Sequence, residues 1–332
     1  MLAGGVVVLL ASISFAVSVG AVHIPSSTVW GVIVNQIAPD TVPVTWSAGR
    51  EAIVWDIRLP RALLACLVGA GLSLVGAALQ SVTRNPLADP HLLGISSGGA
   101  FGAILALLHV GLVVGLLTVP LFAFVGALGA TLLVLGVSRM AGASSASRLV
   151  LAGVAISFVV MACANILVFL GDPRAHHTVV FWMLGGLGLA QWSHLVYPLV
   201  VLLGCGAYFW LRSGDLNAMM IGDETASTLG IPVVRFRLTV FVVGALLTGV
   251  MVAFSGMIGF VGLMVPHIVR FLVGGDYMRV IPASALLGAI FLVWADVTAR
   301  VIMAPEDMPI GIVTGLVGGL FFIWLLARRQ EG

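Results

Sequence analysis

The sequence predicts an all-α membrane protein that crosses the bilayer about ten times. Hydrophobic residues make up 61% of the 332 residues, and charged residues make up only 8%. A soluble domain carries about a quarter charged residues, so this composition indicates that most of the surface faces lipid. Apolar runs of about 20 residues, the length that spans a bilayer as a helix, recur along the chain.

Ten apolar segments have the composition of membrane-spanning helices and predict a single transmembrane domain over residues 1–332. The sixth and eighth segments are short, and Pro266 interrupts the eighth. Longer connections at 23–57 and 171–191 predict loops with short helical pieces, and the connection at 213–234 is polar. The predicted spans are 2–22, 60–82, 92–109, 113–137, 149–170, 194–211, 237–254, 260–273, 280–302 and 310–327.

Arginine placement predicts the orientation of these spans. With the N-terminus in the cytoplasm, ten arginines lie at cytoplasmic ends and five lie at outer ends. Basic residues are enriched on the cytoplasmic side of membrane proteins, so we expect both termini inside. The connections 23–57 and 171–191 then face outward, and 213–234 faces the cytoplasm.

Several catalytic and binding chemistries are excluded by the residues present. All 15 basic residues are arginines, and a P-loop nucleotide site requires a lysine. The chain also lacks a CxxC motif, a Cys/His cluster and an HExxH motif, so it predicts neither a metal site nor an intramembrane metalloenzyme. An ion-driven transporter needs acidic residues within its spans, and Asp296 alone meets that condition.

Four segments carry more specific information than general hydropathy. In their order and spacing they closely resemble the FecCD family of importer permeases, whose members import ferric siderophores, haem or cobalamin. The resemblance covers nearly the whole chain. The segments are RLPR at 58–61, the Gly-rich stretch 76–103, GDETASTLGI at 222–231, and GFVGLMVPHIVRFLVGGD at 259–276 followed by ADVTAR at 295–300.

The resemblance implies a type II ABC importer permease fold in a bacterial inner membrane. It implies a homodimer with a central pathway, two cytoplasmic ATPase subunits that hold ATP and Mg²⁺, and a periplasmic substrate-binding protein. The chain itself is expected to be a transport subunit without cofactor, metal or nucleic acid. The expected cargo is an iron chelate, either a ferric siderophore or haem. A cobalamin permease of the same family and an ion-coupled secondary transporter are the alternatives.

The polar inner connection resembles the coupling helices that dock on the ATPase in this family. Two glycines bracket a short predicted helix, and acids in its first turn complement the helix dipole. An ordinary solvated loop is the alternative. The predicted coupling residues are Gly222, Asp223, Glu224, Thr225, Ala226, Ser227, Thr228, Leu229 and Gly230.

Arg58, Arg61 and Arg300 lie at outer span ends, against the positive-inside trend. Planar guanidinium groups form bidentate pairs with carboxylates, and the resemblance implies that these three dock acidic residues of the binding protein. Snorkelling toward lipid headgroups is one alternative. Pairing of Arg300 with Asp296, four residues earlier, is another.

The resemblance also implies an inner gate. Asn85 and Leu87, at the cytoplasmic end of the second span, match gate positions, and so does Ser147. Ala146 stands where some relatives carry a second hydroxyl residue. Helix capping by Asn85 and Ser147 is the alternative. Gln80 is polar within an apolar span, which predicts a place near the pathway.

Overall fold

The computed structural model describes residues 2–20, 22–90, 94–140 and 146–328, which form helices and connecting segments without a β-strand. The fifteen helices are α1 Leu2–Ser18, α2 Ser26–Ile37, α3 Ala48–Ala52, α4 Leu59–Thr83, α5 Ile95–Leu105, α6 Thr118–Met140, α7 Ala146–Leu170, α8 His176–Met183, α9 Trp192–Leu211, α10 Ser213–Ile221, α11 Asp223–Thr228, α12 Val233–Ser255, α13 Val261–Val273, α14 Tyr277–Ile302 and α15 Ile310–Arg328.

Seven helical segments in these residues are long and apolar enough to cross a membrane, which confirms a multi-pass membrane protein. The three other predicted spans correspond to shorter apolar helices: α1, α5 with its π-helical extension, and α13. The prediction that the sixth span is short was wrong, since α9 has 20 residues. The seven long segments are Ala48–Thr83, Gly115–Met140, Arg148–Leu170, Trp192–Leu211, Val233–Ser255, Tyr277–Ile302 and Ile310–Ala327.

The predicted outer loop 23–57 contains more helix than its composition indicates. Besides α2, it contains α3 and a π-helical segment, Ile53–Arg58, that continues directly into α4. Arg50, Glu51 and Asp56 make this stretch too polar for a span prediction, although its backbone is helical. The second outer loop, 171–191, contains one short α-helix in the described residues, α8, and the chain from Leu184 to Gly188 is not helical.

Helix α4 is the centre of the bundle. In the most apolar 18-residue stretch of the segment that contains α4, 83% of the residues are buried. The corresponding fractions are 11% in α7 and 22% in α15. Glycines allow this packing, because a Cβ at Gly69 would collide with the carbonyl of Gly288 and one at Gly76 with the carbonyl of Gly262. Small residues let membrane helices approach closely. Helices α14, α12, α13 and α9 surround α4.

Three interruptions of the helices meet at the end of the bundle that is predicted to face outward. The amide of Gly186 donates to Ser255 O at 2.8 Å, and the amide of Ile310 donates to Gly185 O at 2.9 Å. The amide of Gly311 donates to Leu184 O at 3.0 Å. Non-helical backbone is tolerated at membrane depth only where the protein satisfies its polar groups, and these bonds do so. The junction joins the segment after α8 to the end of α12 and the start of α15.

Candidate functional site: a coupling helix, a gate segment and an outer arginine cluster

The short helix predicted between Gly222 and Gly230 is confirmed as α11. It ends in a Schellman arrangement, in which the amide of Ile231 donates to Ala226 O at 3.0 Å and the amide of Gly230 donates to Ser227 O at 2.9 Å. Gly230 has a φ of 81°, a left-handed conformation that favours glycine. Ala226 is the buried side chain of α11. Most of the polar surface of α11 therefore faces away from the rest of the protein.

Asp223 ties α11 to the membrane-spanning helices. Nη2 of Arg237 donates to both carboxylate oxygens of Asp223, at 2.7 and 2.9 Å, and Nε of Arg237 donates to Val82 O at 3.0 Å. Arg237 is only 3% exposed. Arg84 Nη2 lies 3.6 Å from the same carboxylate. One buried guanidinium thus joins the first turn of α11 to the last turn of α4.

The predicted gate segment follows α4 directly. The side-chain oxygen of Asn85 accepts from the amide of Leu87 at 2.9 Å, and the amide of Ala88 donates to Asn85 O at 3.1 Å. The Asn85 side chain therefore stabilises a turn that starts at the C-terminal end of α4. Leu87 is 53% exposed. The side chains of Ala146 and Ser147, the other predicted gate residues, lie outside the described residues.

Gln80 is fully buried between α4 and α13. Its Nε2 lies 3.1 Å from Gly262 O and 3.4 Å from both Leu263 O and Ala88 O. The amide therefore links the gate segment to the first turn of α13. A position beside the pathway stays a prediction, since within this chain Gln80 contacts protein only.

The three arginines predicted at outer span ends form a cluster in which Arg61 and Arg300 pair with buried Asp296 and Arg58 lies beside Arg300. Arg61 Nε donates to one carboxylate oxygen of Asp296 at 2.7 Å, and Arg300 Nε donates to the other at 2.9 Å. Arg61 also pairs with Asp307, in the segment between α14 and α15. The expected alternative, pairing of Arg300 with Asp296, is confirmed.

Arg58 and Arg300 also cap the C-terminal end of α1. Arg58 Nη1 donates to Val17 O at 2.9 Å, and its Nη2 donates to Val22 O at 2.6 Å. Arg300 Nη2 donates to Ala16 O at 3.0 Å. Cations near a helix C-terminus satisfy its last carbonyls and complement its dipole. Sequence reasoning missed this role, because these partners lie 36 to 284 residues away.

Arg58, Arg61 and Arg300 are each only 7–8% exposed. Direct docking of a binding protein, which stays a prediction, would require its carboxylate to compete with these internal partners. Arg61 and Arg300 pair with two carboxylates, Asp296 and Asp307, while Arg58 has no carboxylate partner in the described residues, so the cluster carries one net positive charge. That charge would attract an acidic partner.

An outer cavity of about 560 Å³ lies between the segment before α6, helix α8 and the end of α12. Phe181, Trp182 and Phe254 supply its aromatic lining, and His177 and His194 lie among them. Of the adjacent histidines in the second outer loop, His177 lines this cavity, whereas His176 Nε2 lies 3.1 Å from Val168 O. In the described residues no group of three His, Cys, Asp or Glu side chains is placed to hold a metal ion.

The sequence profile of the FecCD transport family matches residues 8–328. The uncharacterized ABC transporter permease protein YvrB of Bacillus subtilis is 40% identical over 98% of this chain and 92% of its own length. The hemin transport system permease protein HmuU of Yersinia pestis is 39% identical over 86% of this chain and 87% of its own length. The vitamin B12 import system permease protein BtuC of Citrobacter koseri is 38% identical over 87% of each chain.

A solved structure agrees with these sequence comparisons. It is described as an inward-facing conformation of a metal-chelate type ABC transporter, and it superposes with a TM-score of 0.84 at 29% identity over 98% of both chains. PsaBC from Streptococcus pneumoniae superposes with a TM-score of 0.56 at 20% identity, over 80% of this chain and 89% of the other, which shows a shared fold alone.

Proposed function

Because this chain belongs to the FecCD transport family and is an ABC importer permease, we propose that it carries an iron chelate into the cytoplasm along a homodimer interface. The observation that carries this proposal is the tether between α11 and the end of α4 through Asp223, Arg237 and Val82. It connects the predicted ATPase-docking helix to the predicted gate segment. Both termini and α11 would lie in the cytoplasm of a bacterium, by the arginine distribution.

A separate ATPase subunit would supply the energy. The chain has no lysine, so it lacks the P-loop residue that contacts the β- and γ-phosphates. Two such ATPases would press on α11 of each permease copy as ATP closes them. Arg237 donates hydrogen bonds both to Asp223 in α11 and to Val82 O in α4. Movement of α11 would therefore displace the last turn of α4 and the turn at Asn85 that follows it.

Two lipid-exposed spans support a second copy of the chain as partner. Among the seven long apolar segments, those of α7 and α15 have the smallest fractions of residues buried within one protomer. On α15, a Cβ added at Gly315 or Gly319 would meet no atom within 4 Å. Residues four apart lie on one helix face, and such small-residue faces favour close helix association in membranes. We expect these faces to meet across the dimer axis and line the pathway.

The cargo would enter from a periplasmic binding protein at the outer arginine cluster and cavity. HmuU and BtuC, which are named for hemin and vitamin B12, are about equally similar to this chain, so cobalamin is the alternative cargo. The aromatic lining of the outer cavity suits a flat or catechol-bearing chelate. We favour a ferric siderophore or haem on this basis.

An ion-coupled mechanism finds less support in the structure. Asp296 is the acid within a predicted span, and both of its oxygens accept bonds from arginines. Both oxygens of this carboxylate are occupied by internal partners, whereas a proton or ion relay within a span needs an acid that is open to the transported ion.

Vesicle uptake tests the function directly. The permease would be reconstituted with its ATPase and binding protein, and a ferric siderophore, haem and cobalamin would be offered in parallel. We expect ATP-dependent uptake of one iron chelate and none without the ATPase. ATP-dependent uptake of cobalamin alone would overturn the cargo assignment. Uptake that needs a proton or sodium gradient but no ATPase would overturn the mechanism.

A further inference from the structure

A second cavity lies at the cytoplasmic end of the bundle, away from both α11 and the outer cavity. Its volume is about 840 Å³, and α1, α13 and α14 form its walls. Leu2 and Ala3 line it from α1, and Val269 and Leu272 line it from α13. The walls are apolar, and Leu2 and Leu272 are about half exposed, which shows that the cavity opens on the outside of the protomer.

The lengths and packing of three helices explain this groove. Helices α1 and α13 both pack against α14. With 13 residues α13 is about 20 Å long, which is shorter than the roughly 30 Å hydrocarbon core. Gly5 lets α1 approach Leu286 closely, while Ala283 on the floor of the groove fills little space. The groove is therefore a gap between α1 and α13 with α14 as its base.

One charged side chain stands at the groove. Arg279 lines it from the first turn of α14, is exposed, and has no carboxylate within ion-pair distance in the described part of the chain. The nearby acid, Asp276, is engaged by Asn217 Nδ2 at 2.9 Å and by the amide of Met278 at 3.0 Å. The groove thus combines an apolar channel with a cationic group at the end of a span.

We propose that this groove binds one phospholipid, with an acyl chain between α1 and α13 and the phosphate on Arg279. An apolar channel ending in a guanidinium matches the two parts of a phospholipid, since arginine pairs with phosphate in bidentate geometry. Basic pockets between membrane helices on the cytoplasmic side bind lipid phosphates in this way. The bound lipid would brace α1 against α13. The proposal depends on the membrane location of the chain and not on its cargo.

Native mass spectrometry of the purified full-length permease tests the proposal. The delipidated protein in detergent would be titrated with phosphatidylglycerol, and separately with inorganic phosphate. We expect one lipid per chain to bind before any others, and no binding of inorganic phosphate. The Arg279→Gln variant should bind that first lipid about fivefold more weakly, the order of effect of one basic residue near a headgroup.

Two further variants separate groove binding from general charge. Ala283→Phe fills the floor of the groove and should remove the first lipid while Arg279 is present. Arg235→Gln removes another exposed arginine, two residues into α12 and outside the groove, and should leave the lipid bound. Equal weakening by Arg279→Gln and Arg235→Gln would overturn the site. So would retention of the first lipid by a folded Ala283→Phe protein, or binding of inorganic phosphate alone.

Discussion

At the scale of single residues, Asp296 holds the outer arginine cluster together. It is fully buried, and it is the shared acceptor of Arg61 and Arg300. Asp296→Asn would leave two buried guanidinium groups without their carboxylate. Breaking a buried ion pair by removing one partner costs about 3–5 kcal/mol. We expect a matching loss of stability, measured by thermal or denaturant unfolding in detergent.

Asp307→Asn is the matched control for this prediction. Its side chain is 41% exposed, and among the described residues Arg61 is its one ion-pair partner. Solvent screens such pairs, and their contribution is typically about 1 kcal/mol or less. Equal destabilisation by the Asp296 and Asp307 variants would contradict a buried centre at Asp296.

Docking of the binding protein is also a question about single charges. Arg58 contributes a positive charge without a carboxylate partner in the described residues, whereas Asp307 contributes a partly exposed negative charge. If the net charge of the cluster attracts an acidic partner, Arg58→Gln should slow association and Asp307→Asn should speed it, each severalfold at low salt. Surface plasmon resonance on the reconstituted permease measures both rates. Changes of the same sign in the two variants would exclude electrostatic docking here.

The sequence predicted part of this cluster. The pair Asp296 and Arg300 is four residues apart on one helix, which a sequence displays directly. The pair Arg61 and Asp307 is separated by 246 residues, and the capping of α1 by Arg58 involves backbone carbonyls. Neither of these interactions leaves a local pattern in the sequence. The prediction for these arginines was therefore the docking role that the family resemblance implies.

At the scale of helices, α11 was predictable because its signals are local. Glycines at both ends, acids in the first turn and a polar composition lie within nine residues. Its tether to α4 was not predictable, because Arg237 and Val82 are 155 residues apart and only the fold brings them together. The helix was therefore expected as a docking element, without the contact that would transmit its movement.

Glycines in the spans predict different effects at different helices. A Cβ at Gly76 would collide with the backbone of Gly262, whereas a Cβ at Gly315 meets open space within the protomer. We expect Gly76→Ala to destabilise the fold by about 1–3 kcal/mol, the usual range for overpacking. Gly315→Ala should leave protomer stability unchanged and weaken self-association. Unfolding measurements and crosslinking in vesicles distinguish the two.

The comparison of these variants also tests the proposed dimer face. Loss of protomer stability in Gly315→Ala, with self-association intact, would contradict a role of α15 between two copies. Both glycines belong to small residues that repeat at helical spacing, a pattern typical of closely packed membrane helices. Whether a glycine faces its own protomer or the outside depends on the arrangement of the other helices.

At the scale of the whole molecule, hydropathy predicted most spans because lipid exposure demands long apolar runs. Hydropathy placed helix starts wrongly where a helix is not apolar along its whole length. The helix that begins at Ala48 carries charged residues before it enters the apolar part of α4, and α5 begins only after the left-handed Gly94. Burial of α4 and exposure of α7 differ greatly despite similar hydropathy, because the arrangement of the bundle decides which apolar face meets protein.

We expect ATP-driven movement of α11 to reach α4 through the pair Asp223 and Arg237. The direct test is the ratio of cargo imported to ATP hydrolysed in vesicles that contain the complete transporter. Asp223→Asn should lower this ratio about tenfold, within the roughly 1–3 kcal/mol typical of coupling between sites. The adjacent Glu224→Gln should leave it unchanged, and Asp223→Glu should retain part of it, because the carboxylate that Arg237 binds is kept. An unchanged ratio in Asp223→Asn, with ATPase binding intact, would show that this pair does not transmit the movement of α11 to α4.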